Sequence, residues 1–375
     1  NHDAEQPSGS VMAHSSTLKI SIIIPVHKPG AAFEACLSSL AQLEPSPEEI
    51  VVVADGDRES AKQAEAAGMR VIATPEPGGP ARARNLGAQQ AMGDILFFID
   101  ADVTAPPDAI ARLHHHFMHD PDLAAMIGSY DDQPGDPGFL SQYRNLFHHY
   151  IHQQSDETAS TFWGACGVIR RDIFLAAGGF DEQYRRPSIE DIELGYRLTQ
   201  NGHRIRLDKD LQVKHMKRWT ASNMVKTDFL RRALPWTLLM LRNRHFVNDL
   251  NLRIQHRLSV ICVFGLLMTI AGSIFRPEML LIGAFLVPVL LGFNFSVYRF
   301  YHRKRGLWFA IRVVPWHWFY YLYGGLAFAI GVFRHIIAGR RRLLKSPAKR
   351  NPRSLLRGSS ERSSNNPRQR RGSLL

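Results

Sequence analysis

Cysteine is scarce in this chain: Cys36, Cys166 and Cys262 lie far apart and match no disulfide or zinc spacing. That excludes a disulfide-stapled scaffold and a structural zinc module, and it suits a reducing compartment. Residues 1–17 lack the apolar core of a secretory signal; polar, with Pro7, Gly9 and a Ser pair, they read as a disordered leader. Acidic residues nearly vanish at the other end. From Arg334 to Leu375 there are thirteen Lys and Arg against Glu361 alone, which accounts for the whole formal charge of +12. The basic balance therefore describes a tail, 337–375, and gives no ground for a nucleic-acid groove in the folded part. Charge is missing altogether from Leu258 to Phe275 and from Met279 to Tyr298.

About twenty apolar residues cross a bilayer, so those two uncharged runs, joined by Arg276-Pro277-Glu278, read as a transmembrane hairpin, with spans at 257–275 and 279–298. A third run, 313–333, carries Pro315, His317 and the aromatic cluster Trp316, Trp318, Tyr320, Tyr321 and Tyr323, typical of an interface belt. It either spans or lies in the interface. Arg299, Arg303, Lys304 and Arg305 place the loop before it in the cytoplasm, and the catalytic domain with it. The tail is either a contact for anionic lipid or a solubilising extension.

The first half alternates apolar runs with helical patterns. Ile20 to Pro25, Ile50 to Val53, Met69 to Ala73 and Ile95 to Ile99 read as buried strands, with helices over Ala31–Leu43 and about Pro80–Met92 between them. Continuous apolar strands separated by helices imply an α/β fold, Rossmann-like, with a mostly parallel sheet covered on both faces. Ligands in such sheets sit beyond the carboxyl ends of strands, so the residues after each run are where chemistry is expected.

Asp100-Ala101-Asp102 follows the strand Ile95–Ile99. If the chain stays extended, both carboxylates face one side and suit Mg²⁺ or Mn²⁺ bridging to phosphate; a strand-terminating turn is the plain alternative. Arg82 or Arg84, on a helix opened by Pro80, can reach a diphosphate. In Ser188 to Leu198 a helix puts Asp191 on the stripe of Leu194, Gly195 and Leu198, a placement suited to a general base, although helix capping is the commoner fate of such a residue. His215 follows a short apolar run and can ligate metal, while Arg218 and Trp219 can meet phosphate and sugar. His114-His115-His116 and His148-His149 read as solvated helix faces.

Taken in order, Ile22-Ile23-Ile24-Pro25-Val26, Val52-Val53-Ala54-Asp55-Gly56, Ala83-Arg84-Asn85-Leu86-Gly87, Asp100-Ala101-Asp102, Gly178-Gly179-Phe180-Asp181, Glu190-Asp191 and His215 to Trp219 resemble family 2 glycosyltransferases across roughly residues 18 to 220. The resemblance implies a GT-A fold and inverting, metal-dependent transfer from a nucleotide sugar, a UDP- or GDP-sugar. Carried onto this chain, Pro25, His27, Asp55 and Arg84 contact the nucleotide and Asp100 touches ribose or metal. Asp102 and His215 hold Mg²⁺ or Mn²⁺, and Asp191 is the general base. Glu190, Trp163, Arg218 and Trp219 are assigned to the acceptor side. Three departures stand out: Ala54 precedes Asp55 where the family has Asp, His27-Lys28 replaces Tyr-Asn, and His215 stands where processive synthases carry Gln.

The expected organisation is a leader (1–17), a catalytic domain (18–225), amphipathic or interfacial helices (226–256), a transmembrane region (257–336) and a basic tail (337–375). Asp228 to Asp249 either lies on the membrane or covers the domain. The expected function is single-sugar transfer to a lipid-linked or saccharide acceptor by a multi-pass enzyme of the inner or plasma membrane, with nucleotide sugar, acceptor and membrane lipid as partners and no nucleic acid. A processive polysaccharide synthase and a catalytically silent scaffold are the alternatives.

Overall fold

The computed structural model describes residues 18–28, 30–243 and 254–345, with side chains described as far as Ala338. The expected leader, and the tail from 346 onward, lie outside the described residues. The chain divides into a unit ending at Val332 and another from Phe333. Of the latter, the described part is the continuation of the last helix.

The first unit opens with β1 (Ile20–Val26), α1 (Ala32–Leu40), β2 (Glu49–Asp55), α2 (Arg58–Ala66), β3 (Arg70–Thr74), α3 (Pro80–Gln90) and β4 (Ile95–Ile99). Strands β1, β2, β3 and β4 pair in parallel in the order β3-β2-β1-β4. All five residues of β4 are buried, as a strand covered on both faces requires.

Next come β5 (Val103–Thr104), α4 (Ala109–His119), β6 (Leu123–Tyr130), α5 (Phe139–Gln154), β7 (Thr158–Ala159) and β8 (Cys166–Arg170). They are followed by α6 (Arg171–Ala176), α7 (Glu190–Gln200) and β9 (Arg204–His215). These complete a mixed sheet in the order β3-β2-β1-β4-β8-β6-β9-β5. The α/β fold of GT-A type is thus present, parallel through β4 and mixed beyond it. Strand β8 runs against both β4 and β6, because an apolar five-residue run carries no mark of its direction.

Helix α8 (Ala221–Lys226), a π-helical stretch (Thr227–Ala233) and α9 (Leu234–Asn243) follow. Asp228 is buried and paired with Arg144 of α5 at 2.6 Å, and Trp236 donates to the Tyr196 hydroxyl of α7. Leu239 and Met240 pack with Ile189 and Tyr196. Through Asn243 this segment therefore covers the domain; residues 244–249 lie outside the described part.

Four more helices follow: α10 (Ile254–Gly272), α11 (Met279–Phe293), α12 (Phe295–Arg305) and α13 (Leu307–Lys345). Helix α10 and the stretch Leu307–Ala338 of α13 are each long and apolar enough to cross a membrane. Helices α11 and α12 form a pair bent by 61°, a third span at most. The second expected span is thus divided, since the fifteen residues of α11 reach only about 22 Å at 1.5 Å per residue, short of a ~30 Å hydrocarbon core. The break falls at Asn294, which donates to Ser259 of α10 at 3.0 Å and accepts from the Tyr321 hydroxyl of α13 at 2.6 Å. Helix α13 is continuous through Pro315 and runs past 337, where the sequence pattern placed the start of the tail.

Candidate active site

Strand pairing dictates where the chemistry can gather. β1, β2 and β4 run the same way, β8 runs against them, and β6 and β9 run against β8. The carboxyl ends of β1, β2, β4, β6 and β9 therefore share one edge, where β8 begins. That edge collects His27, Asp55, Asp100, Asp102, Tyr130, Gly164 and His215.

Asp102 meets His215 through the backbone. β5 pairs antiparallel with the end of β9, Val103 opposite His215, and the Met216 amide donates to the Asp102 carbonyl at 2.8 Å. Asp102 Oδ2 then lies 3.5 Å from His215 Nε2. Burial works to raise the Asp102 carboxyl, but with His215 protonated its charge and that of Lys217 outweigh burial and hold the carboxyl at about 2. An anionic oxygen beside an imidazole nitrogen is a donor set suited to a divalent cation. Among the described residues no third carboxylate, His or Cys joins them. The pair therefore fits an ion that takes its remaining ligands from diphosphate oxygens and water, as Mg²⁺ commonly does.

Arg84 ties this pair's strand to the general-base candidate. Its Nη2 donates to Asp100 Oδ1 at 2.6 Å and its Nη1 to Glu190 Oε1 at 3.1 Å. Phe180 lies under the guanidinium, 5.4 Å from ring centroid to carbon. The neighbouring Asn85 locks Phe180 from both sides, donating to its carbonyl and accepting from its amide. Burial alone would lower the Arg84 pKa, but Asp100, Glu190 and Asp191 raise it. Arg84, expected at the nucleotide, pairs with two carboxylates, and Glu190, expected near the acceptor, is one of them and is buried.

Asp191 sits in the first turn of α7, whose cap position is Ile189, with no capping side chain. Its Oδ2 accepts from the Gly164 amide at 3.1 Å and its Oδ1 from Ile192 at 2.8 Å. Loss of solvent, then the charge of Glu190, push its carboxyl up to about 6, against the pull of Gly164 and Arg84. Asp191 does not cap the helix, and burial brings its carboxyl into the range where a carboxylate can exchange protons near neutral pH.

A Cβ at Gly164 would lie 2.9 Å from Arg84 Nη2, so the guanidinium would have to shift to admit one. We expect Gly164→Ala to displace the guanidinium and lower kcat at least tenfold, with the overall fold retained by circular dichroism. Unchanged kcat would mean that Arg84 yields freely. Gly195 meets a harder wall: a Cβ would come within 2.2 Å of the Phe162 amide nitrogen, so α7 packs against backbone there.

The remaining expected residues divide. His27 Nδ1 lies 2.7 Å from the Asp55 carbonyl oxygen. The Asp55 carboxylate accepts from the Gly78 and Gly79 amides, both at 2.8 Å, and so shapes the loop leading into α3. Pro25 lies within β1 and pairs with Val53. Trp163 is buried in a ring cluster with Tyr130, His148 and His152. Arg218 is exposed; Trp219 is buried under the Lys217 ammonium, its indole nitrogen without a hydrogen-bond partner.

Sequence patterns missed several participants. His149, expected on a solvated face, is buried, as is His152; they contact the carbonyls of Tyr130 and Gly128 at 2.6 and 3.1 Å. Burial keeps the His148 and His152 pKa values low, His152 at about 4. Tyr130 stacks on His215 with ring centroids 4.6 Å apart, and Asn145 contacts the same imidazole. The one available signal was the polar spacing Ser141, Asn145, His149 and His152 along an otherwise aromatic helix.

The family model described as "Glycosyl transferase family 2" matches residues 21–176. A pre-mycofactocin glycosyltransferase of Mycobacterium tuberculosis is 27% identical over 206 residues, covering 52% of this chain and 42% of that protein. A glucosyl-dolichyl phosphate glucuronosyltransferase of Haloferax volcanii is 23% identical over 222 residues, 53% of this chain and 69% of its own length. The chain thus spans under half of the first relative's length and about two thirds of the second's. Among solved structures, S. aureus TarS residues 1–349 superimposes with a TM-score of 0.43 at 18% identity, covering 60% of this chain and 64% of the other. Residues 21–176, which include the strands and helix that carry Asp55, Arg84, Asp100 and Asp102, are thus similar to glycosyl transferase family 2.

Proposed function

We propose that the chain transfers a single sugar, with inversion, from a nucleotide-sugar donor to a hydroxyl of a lipid-linked or saccharide acceptor at a membrane. The observation carrying this reading is the Arg84 bridge, which holds the Asp100-Ala101-Asp102 strand end and the Glu190-Asp191 helix start in one site.

Asp102 and His215 would hold Mg²⁺ or Mn²⁺, which when bound offsets negative charge on the departing nucleoside diphosphate. Asp191 takes the proton of the acceptor hydroxyl as its oxygen attacks the anomeric carbon. One displacement, on the face opposite the diphosphate, inverts that centre. The Gly164 amide aims the Asp191 carboxylate, and Arg84 keeps its neighbour Glu190 neutralised. Tyr130 and Trp163 wall the site with apolar rings, which limits water as a competing acceptor.

A membrane location is supported by α10 and α13. The exposed Arg299 and Arg303 on α12 support a multi-pass path with the catalytic domain in the cytoplasm. The word "dolichyl phosphate" in the name of the haloarchaeal relative supports a lipid-linked acceptor.

A panel of UDP- and GDP-sugars with Mn²⁺ or Mg²⁺, in native membrane lipid, tests the reading by nucleotide release and product length. Release with single addition supports it. Polymer would favour a processive synthase, and no release from any donor a silent scaffold. Asp102→Ala is expected to weaken Mn²⁺-dependent nucleotide binding at least tenfold while leaving metal-free binding alone. An unchanged Mn²⁺ response would remove Asp102 from the site.

A further inference from the structure

Asn145 lies on α5, outside every motif of the catalytic domain, yet it is buried against the His215 imidazole. Its Oδ1 sits 2.8 Å from His215 Nδ1. Asn145 is 2% exposed, and among the described residues its amide nitrogen has no hydrogen-bond partner. On the opposite side of the ring, His215 Nε2 faces Asp102 Oδ2 at 3.5 Å.

A carboxamide oxygen only accepts, so the proton between it and the ring belongs to Nδ1. A neutral imidazole with its proton on Nδ1 presents a lone pair at Nε2. That lone pair points at an anionic oxygen with no proton between them, which is repulsive unless a cation lies there. Which nitrogen of a histidine is free for a metal is set by the bond that the other nitrogen makes.

The rest of the local packing fixes the ring in the same orientation. Tyr130 stacks on it at 6° between planes, preventing a tilt. Helix α5 is itself anchored along one face. Ser141 Oγ accepts from the Trp219 amide at 2.8 Å, and His149 contacts the Tyr130 carbonyl. Asn145 lies between those two anchors, one helical turn from each.

We propose that Asn145 is a positioning residue: it holds His215 as the Nδ1-protonated tautomer, so that Nε2 and Asp102 form a preset pair for a divalent cation. The metal part rests on the function proposed above; the tautomer part does not.

The test uses the full chain in nanodiscs and compares wild type with Asn145→Leu and Asn145→Asp. Asp keeps the acceptor oxygen and serves as the rescue variant. The first readout is long-range proton–nitrogen correlation of ¹⁵N-labelled histidines in metal-free protein at pH 8, with His215 assigned by its loss in His215→Gln. Nδ1-protonated His215 is expected in wild type and in Asn145→Asp, and the Nε2-protonated form in Asn145→Leu. Nε2-protonated or doubly protonated His215 in wild type overturns the assignment. So does an Asn145→Leu protein that keeps the Nδ1 form.

The second readout is Mn²⁺ affinity by electron paramagnetic resonance. Loss of an outer partner typically costs 10–100-fold in metal affinity, and about that loss is expected for Asn145→Leu, with Asn145→Asp within about threefold of wild type. Equal affinity in all three, alongside loss in His215→Gln, overturns the positioning role and keeps the metal site. If wild type binds no Mn²⁺, the metal half of the proposal falls, and the histidine spectrum still decides the tautomer.

Discussion

Asp191→Asn should abolish sugar transfer and yet yield a more stable protein at neutral pH. General base catalysis contributes roughly 10²–10⁴ in rate, so kcat should fall by about that factor. Donor affinity should stay within a few-fold, because no donor-binding role is assigned to the Asp191 carboxylate. Wild-type kcat should rise with pH through about 6, where the carboxyl loses its proton, and then level off. That acid limb should be missing in the variant.

The stability effect has the opposite sign to the usual carboxylate case. The Asp191 carboxyl titrates at about 6 in the fold against 3.8 for the free group. The folded chain therefore binds the extra proton between those values, and stability falls as pH rises through that window. The contribution is present below the lower value and lost above the higher one. Asparagine mimics the protonated form, so the melting temperature should increase at pH 7.5 and change little at pH 4. An inactive variant that is less stable at pH 7.5 would contradict a desolvated carboxylate at this position. Lost donor binding would contradict the base assignment.

Arg84→Met should produce the largest loss of stability. It removes one cation from between two carboxylates, one of which, the Glu190 side chain, is 5% exposed. Breaking a buried ion pair from one side typically costs about 3–5 kcal/mol, equivalent to a fall of about 10 °C in melting temperature for a domain of this size. Arg84→Lys should recover little, since one ammonium cannot reproduce two separate donors of a planar fork. Thermal denaturation of both variants at pH 8 reads these effects. A melting temperature within 2–3 °C of wild type, on the same scale, would mean that the bridge is peripheral. Transfer should fall by at least a hundredfold as well, because Asp191 and Asp102 lose the group that relates their elements.

Much of the first half was legible from periodicity. Runs such as Ile95-Leu96-Phe97-Phe98-Ile99 can bury every side chain only inside a two-faced sheet, and such runs gave β1, β2 and β4, which contain or precede His27, Asp55 and Asp100. Strand β3, expected as a buried strand, has no buried residue because it lies at the sheet edge. Legibility failed where the determining contact was short or distant. Strand β5 is two residues long, below any periodic signal, yet it sets Asp102 beside His215. The histidines of α5 read as a wet helix face because a lone helix cannot show that its polar side will meet the carbonyls of β6. The break at Asn294 was hidden in an uncharged run, since hydropathy does not register that one amide will be satisfied by two neighbouring helices.

By itself the sequence determined which residues could do chemistry here: paired aspartates after a buried strand, a Glu-Asp pair opening a helix, a histidine ending another strand. It also determined that apolar helices follow them. Those are local properties of composition, spacing and order. Only the tertiary structure decided the roles. Arg84, expected at the nucleotide, became the buried bridge between Asp100 and Glu190, which lie 90 positions apart in the chain. Asp191 gained its raised pKa from the burial and neighbours that folding supplied. A side chain's proton affinity and partners depend on which distant elements pack against it, and no pattern along the chain encodes that distance.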